Sequence, residues 1–291
     1  MYPSLNIGAL DIQVDFDRAV ELARTHGFRG LDFSVVQVAE LAAQRGLEGI
    51  RGQLARAQVR LGAWGLPVHW RGSEEEWRKG LARLPEWAAL AVALGSDRAV
   101  TGIMPGDNER PPEANRAFHR ERLEPIVQIL AEAGCRLGLE FIGPRTLRTT
   151  FRYPFLHTLE EVRELARELG PSVGLLVDLF HLYTGHTPVD RVRALGRREV
   201  VAVHVNDALP GRSPDEQMDL ERALPGEHGV MDVVGFLQAL AHIGYDGPVA
   251  VEPFSARLAA LPPEARVAEA ASALRRCWEA AGLSWLETTR P

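Results

Sequence analysis

The chain has 291 residues, 46% hydrophobic and 25% charged, an ordinary globular composition long enough to bury a large core. A net charge of −6 weighs against nucleic acid, whose binding needs a basic face to displace counterions, and no apolar run approaches the roughly 18 residues of a membrane span, so neither is an expected partner. Two cysteines, Cys135 and Cys277, exclude a disulfide framework and fit a reducing cytoplasm, and the opening "MYPSLNIGAL" lacks the basic-then-apolar pattern of a secretory signal.

Short apolar runs predict strands, and stretches with apolar residues at i, i+3, i+4 and i+7 predict helices between them. In chain order, "LNIGAL" (5–10) reads as a strand, "FDRAVELARTHGF" (16–28) as a helix, and "GLDFS" (30–34) and "RLGAWGL" (60–66) as strands. A helix follows over "EEEWRKGLARLPEWAALAVALG", where Ser73 and Glu76 form a capping box. Next come the strand "RAVTGIM" (98–104), the helix "AFHRERLEPIVQILAEAG" and the strand "RLGLEFI" (136–142). Thr158 and Glu161 make a second capping box before the helix "LEEVRELARELG", which leads to the strand "VGLLVD" (173–178). Thr187-Pro188 predicts a helix start before the strand "VVAVHV" (200–205). Residues 206–230 form a loop too long for an ordinary connection, which points to function. The helix "VVGFLQALAHIGY", the strand "PVAVEPF" (248–254) and a last helix over 264–281 complete the chain. Alternating strand–helix units imply a parallel sheet, and eight in this length predict one (β/α)8 TIM barrel domain over 1–291. A doubly wound open sheet is the competing arrangement.

Active sites of such barrels lie at the C-terminal ends of the strands. Four of the predicted strands run straight into an ionisable residue there: Glu140, Asp178, His204 and Glu252. One alone reads as a helix cap, a satisfied polar group or, for His204, a core histidine. Four at one structural offset read as the ligands of a shared divalent cation, since isolated carboxylates there would be costly to bury. Three carboxylates and one imidazole suit one ion of intermediate hardness, Mn²⁺ first, with Mg²⁺, Co²⁺ or Zn²⁺ as alternatives. His181, three residues after Asp178, is expected against substrate, with a second metal or simple packing as the other readings. His69, in "GLPVHW", and Asp207 and Arg212, in "HVNDALPGR", are further candidates for binding substrate, each with a structural role as the rival reading. His157 and Asp246 read as loop residues.

"LEFIGP" around Glu140, "VDLFH", "VHVND" and "LPGEHGVMDVVGFLQALAHIGYDGPVAVEPF" resemble the xylose-isomerase-like barrel superfamily of sugar isomerases and epimerases, and its inosose isomerase branch most. These marks cover roughly 136–254; the N-terminal half matches in pattern only. The resemblance implies that Glu140 and Glu252 are both metal ligands and acid/base groups. It implies isomerisation or epimerisation of a ketose or keto-cyclitol through a metal-stabilised enediolate. Two departures concern the substrate: His228 replaces a small residue, and Asp32 stands where relatives commonly carry a glutamate that contacts substrate.

A dehydratase of a keto-cyclitol would use the same scaffold and the same enediolate. An endonuclease IV-type nuclease shares His69, Glu140, Asp178, His181, His204 and Glu252, but it needs three metals. No histidine ends "VTGIMPGD", and no Asp-x-His follows His204. A non-catalytic sugar-binding barrel would not need the full set of four. The expected partner is a small sugar or keto-cyclitol, and a homodimer is compatible with the sequence.

Overall fold

A computed structural model describes residues 1–285; residues 286–291 of the expected domain lie outside the described residues. The strands are β1 (Tyr2–Leu5), β2 (Gly30–Phe33), β3 (Arg60–Gly65), β4 (Arg98–Ile103), β5 (Gly106–Asp107), β6 (Arg136–Phe141), β7 (Tyr153–Pro154), β8 (Val173–Asp178), β9 (Val200–Val205) and β10 (Pro248–Val251). Eight of them pair in parallel and close in the order β1-β10-β9-β8-β6-β4-β3-β2, while β5 and β7 make a small antiparallel pair outside the ring. This is the expected (β/α)8 barrel, not an open sheet. Among the described residues no helix is long and apolar enough to cross a membrane.

Most elements lie where their periodicity puts them. Both capping boxes form, with the Ser73 and Thr158 side chains accepting from the amides of Glu76 and Glu161 at the heads of helices Glu74–Ala93 and Leu159–Leu169. The first strand is a correction: it occupies Tyr2–Leu5, and 6–11 turns away. Asn6 Oδ1 accepts from the Ala9 amide, and Asp11 has φ 53°, so turn chemistry overrides the apolar content of "NIGAL". Two helices unforeseen in the sequence, Val35–Arg45 and Leu47–Ala57, fill the β2–β3 connection and meet at Gly46, whose φ is 73°. After Thr187-Pro188 the chain makes only short 3-10 turns, Val189–Ala194 and Arg197–Glu199, before β9.

The main core lies between the strands and the outer helices. Inside the ring, Ala63, Leu176 and Ala202 pack with Val100 in a small apolar layer. Below it Arg98 sits at the N-terminal ends of the strands, where its guanidinium donates to Val201 O at 2.7 Å and to Asp246 at 2.8 Å. The other end of the barrel is left to polar side chains.

Candidate metal centre and substrate pocket

Side chains on a strand repeat every two residues, so the residue two places after an inward one also points inward. Leu176 and Ala202 belong to the inner layer; two residues later stand Asp178 and His204, paired across β8 and β9. Glu140 lies beside Leu176 across β6 and β8, and Glu252 stands two residues after Ala250, the β10 partner of His204. Glu140, Asp178, His204 and Glu252 each offer a ligand atom, and these four atoms lie within 4.8 Å of one another. His204 Nδ1 is 3.3 Å from Glu252 Oε1, 3.6 Å from Glu140 Oε1 and 4.0 Å from Asp178 Oδ2.

This donor set fits a divalent cation on two counts. Glu140 Oε1 and His204 Nδ1 are buried without any hydrogen-bond partner, an arrangement that proteins avoid unless something else satisfies the atoms. The charges also crowd. Burial and the like charge of Glu252 push the Glu140 carboxyl above its ordinary range, although His204 works against them. Burial alone would lower His204, but the negative charges of Glu252 and Glu140 outweigh it and hold the imidazole well above its usual value. A cation among these groups would relieve both strains.

Asp178 has two uses. Its Oδ1 accepts from the Phe180 amide at 2.7 Å, capping helix Leu179–Thr184, and from Asn206 Nδ2 at 3.0 Å. Its Oδ2 faces the centre, 4.0 Å from His204 Nδ1. Burial opposes the charge of Asp178, yet the positive charges of Arg222, His181 and His204 prevail and keep it below the ordinary carboxylate range.

His181 is buried at the edge of this cluster. The Gly143 amide donates to its Nδ1 at 3.3 Å, which leaves Nε2 facing Glu140 at 3.9 Å and Asp178 at 4.0 Å. Gly143, in the "LEFIGP" segment, has to be glycine: a Cβ there would come within 2.5 Å of His181 O.

Three other candidates stand apart from the cluster. Asp207 is fully buried, but its carboxylate is consumed by backbone, accepting from the amides of Ala208, His228, Gly229 and Met231. Arg212 pairs with Glu221 at 2.7 Å. His69 is exposed in the loop after β3, away from the cavity described below. The His228 side chain is exposed as well, so the larger residue fits without displacement.

Arg222 was not anticipated. Its Nη1 donates to Asp178 Oδ2 and to Glu252 Oε2, both at 2.8 Å, and its side chain is 1% exposed. Nothing in "DLERALPGEHG" distinguishes it in a chain with 33 basic residues, all but Lys79 arginine. Only the loop's length pointed to this segment.

A cavity of about 940 Å³ opens beside His204 over the ends of β1 to β4. Asn6, Phe33, Gly65, Leu66 and Val100 line it together with Asp32. Asp32 accepts from the Ser4 hydroxyl at 2.6 Å and from the Ala63 amide at 3.1 Å, and burial pushes its carboxyl up to about 6. The fixed charges thus occupy one side of the barrel mouth and the open space the other.

Comparison with known proteins agrees with this architecture. The chain is 26% identical over 266 residues to L-ribulose-5-phosphate 3-epimerase UlaE of Escherichia coli O139:H28, covering 86% of each. It is 22% identical over 242 residues to inosose isomerase of Bacillus velezensis, covering 81% of this chain and 82% of that one. The solved structure of a xylose isomerase domain protein from Alicyclobacillus acidocaldarius superposes with a TM-score of 0.87 at 29% identity, over 97% of this chain and 99% of the other. The description of the xylose isomerase-like TIM barrel matches residues 20–277, and the chain belongs to that family.

Proposed function

We propose that this protein is a divalent-metal-dependent isomerase or epimerase of a ketose or keto-cyclitol, working in the cytoplasm. The observation that carries the reading is the meeting of four ligand atoms within 4.8 Å at the mouth of the barrel, next to a cavity large enough for a sugar. The relatives support it, because an epimerase at C3 of a ketose and an isomerase of an inosose must each break a C–H bond beside a carbonyl.

Glu140, Asp178, His204 and Glu252 would hold the ion. When bound, a divalent cation polarises a carbonyl and acidifies the neighbouring C–H. Glu140 and Glu252 then serve as the proton-transferring pair, one removing the proton and the other returning one to the enediolate. Glu252 has Oε2 held by Arg222, which fixes the carboxylate and leaves Oε1 toward His204. His181 Nε2 lies close enough to the cluster to donate to a substrate hydroxyl, and Arg222 supplies a permanent positive charge near the developing negative one. Asp32 and Asn6 would meet the hydroxyls of the substrate's far end.

The test is incubation of metal-reconstituted protein in D₂O with ketoses, ketose 5-phosphates and inososes, followed by identification of the products. Deuterium next to the carbonyl, with an isomerised or epimerised product, is expected. Glu140→Gln and Glu252→Gln should each slow turnover by about 10²–10⁴-fold. Loss of a β-hydroxyl would instead identify a dehydratase. Full activity in both glutamine variants on a verified substrate would end the two-glutamate mechanism.

A further inference from the structure

Arg222 occupies an unusual place. One nitrogen, Nη1, donates to Asp178 Oδ2, the oxygen that faces the other candidate ligands, and to Glu252 Oε2, on the carboxylate whose second oxygen faces His204. We infer that Arg222 is a built-in competitor that holds down the affinity of this site for divalent cations, and that Asp207 is the positioning residue that keeps it in place. The inference rests on the metal centre proposed above and adds what sets the strength of that centre.

A long arginine side chain could swing aside when an ion arrives. This one is held on every side. Its Nε donates to Asp219 O at 2.7 Å and its Nη2 to Asp219 Oδ1 at 2.9 Å. The rings of Phe180 and Phe254 lie on the guanidinium at 4.5 and 4.8 Å. Phe254 has φ 35°, a strained conformation for a residue with a side chain, so the sandwich is maintained at some cost in backbone energy. With the guanidinium fixed, an incoming ion must share two carboxylates with a positive charge that cannot retreat into solvent. At the short separations and reduced dielectric of such a site, one unit charge changes ion affinity by roughly tenfold to a hundredfold or more.

Arg222 itself lies in a segment without regular secondary structure, so its position depends on what anchors that segment. The next residue, Ala223, exchanges two backbone hydrogen bonds with Asp207, both 2.9 Å. The Asp207 carboxylate collects the amides of Ala208 at one end of the loop and of His228, Gly229 and Met231 at the other, at 2.7 to 3.0 Å. One buried charge therefore closes the loop on both sides of Arg222. An asparagine there has one accepting oxygen and two donor hydrogens, so it cannot satisfy four amides. The Asp207 carboxylate bonds to backbone amides and to none of the four candidate ligands, and of the loop that it closes Arg222 is the residue that reaches Asp178 and Glu252.

The experiment measures Mn²⁺ dissociation constants on chelator-treated protein, by electron paramagnetic resonance of free Mn²⁺, after circular dichroism has shown each variant folded. Arg222→Met keeps bulk between the two rings and removes the charge. It is expected to bind Mn²⁺ about 10–100-fold more tightly than wild type, whereas Arg222→Lys stays near wild type. Asp207→Asn should also tighten binding, by less, and should add nothing in the Arg222→Met background. A purely structural role for Asp207 would weaken the ion in either background. Should Asp207→Asn fail to fold, Asp219→Asn tests the same clamp from the other side and should tighten binding too. Unchanged or weaker Mn²⁺ binding in Arg222→Met overturns the competitor. An Asp207→Asn effect that weakens binding or adds in full to Arg222→Met overturns the positioning role. A wild-type chain that binds no divalent ion at all removes the proposed metal centre itself.

Discussion

Asp32→Asn should stabilise the metal-free protein at neutral pH. Both hydrogen bonds to Asp32, from the Ser4 hydroxyl at 2.6 Å and the Ala63 amide at 3.1 Å, land on Oδ1. The oxygen of an asparagine can accept both. What disappears is the charge. Burial pushes the carboxyl up from 3.8 to about 6, against the pull of the Ser4 hydroxyl and of His204. The folded state therefore binds this proton more tightly than the unfolded chain does. Its contribution to stability is greatest below about pH 4 and is lost as the pH rises toward 6. The loss amounts to about 3 kcal/mol at most, at roughly 1.4 kcal/mol per pH unit. The variant escapes it, and above pH 7 should unfold up to about 6–9 °C higher, at about 2–3 °C per kcal/mol for a chain of this size. Thermal melts of chelator-treated wild type and variant at pH 4 and pH 7.5 provide the measurement. A gain that is the same at both values, or a variant less stable than wild type at pH 7.5, would refute the reasoning. A charge kept on the cavity wall at the expense of stability is what a substrate-binding residue looks like.

His181→Ala should lower turnover by about 10²-fold or more while the protein still takes up metal; elemental analysis that finds it as depleted as Asp178→Asn would place His181 among the ligands instead. Gly143→Ala puts a Cβ within 2.5 Å of His181 O, 2.6 Å of Thr184 Oγ1 and 2.8 Å of Gly185 N. Backbone cannot yield cheaply there, so urea denaturation should show a loss of about 1–3 kcal/mol, and an unchanged midpoint would mean that helix Leu179–Thr184 moves aside freely.

The barrel was legible because its signals are local. An apolar run ending in a charge fixes where β6, β8 and β9 stop, and Glu140, Asp178 and His204 fall at those ends whatever the rest of the chain does. The first strand was misplaced because "NIGAL" has a strand's composition, while Asn6 and Asp11 supply turn geometry that hydrophobicity does not register. Arg222 was invisible for another reason. Its partners, Asp178 and Glu252, lie 44 and 30 residues away, and it arrives through an irregular loop. Asp207 shows the converse. Its position next to a candidate ligand strand suggested contact with substrate, yet a carboxylate at the root of a long loop can be taken up entirely by that loop's amides.

The four candidate ligands stand in or just past β6, β8, β9 and β10, which are consecutive around the ring, while the ends of β1 to β4 wall the cavity. On the proposed function, proton transfer and the room for the rest of the substrate thus fall in different arcs of one circle. Drift in one arc need not disturb the other, which gives a lineage a way to acquire new substrates without reinventing the proton transfer. The same division suits a designed library. Randomising Asn6, Phe33, Leu66 and Val100 would vary what is accepted over an unaltered centre, whereas equal diversity at 140, 178, 204 and 252 would mostly yield barrels with no chemistry to select.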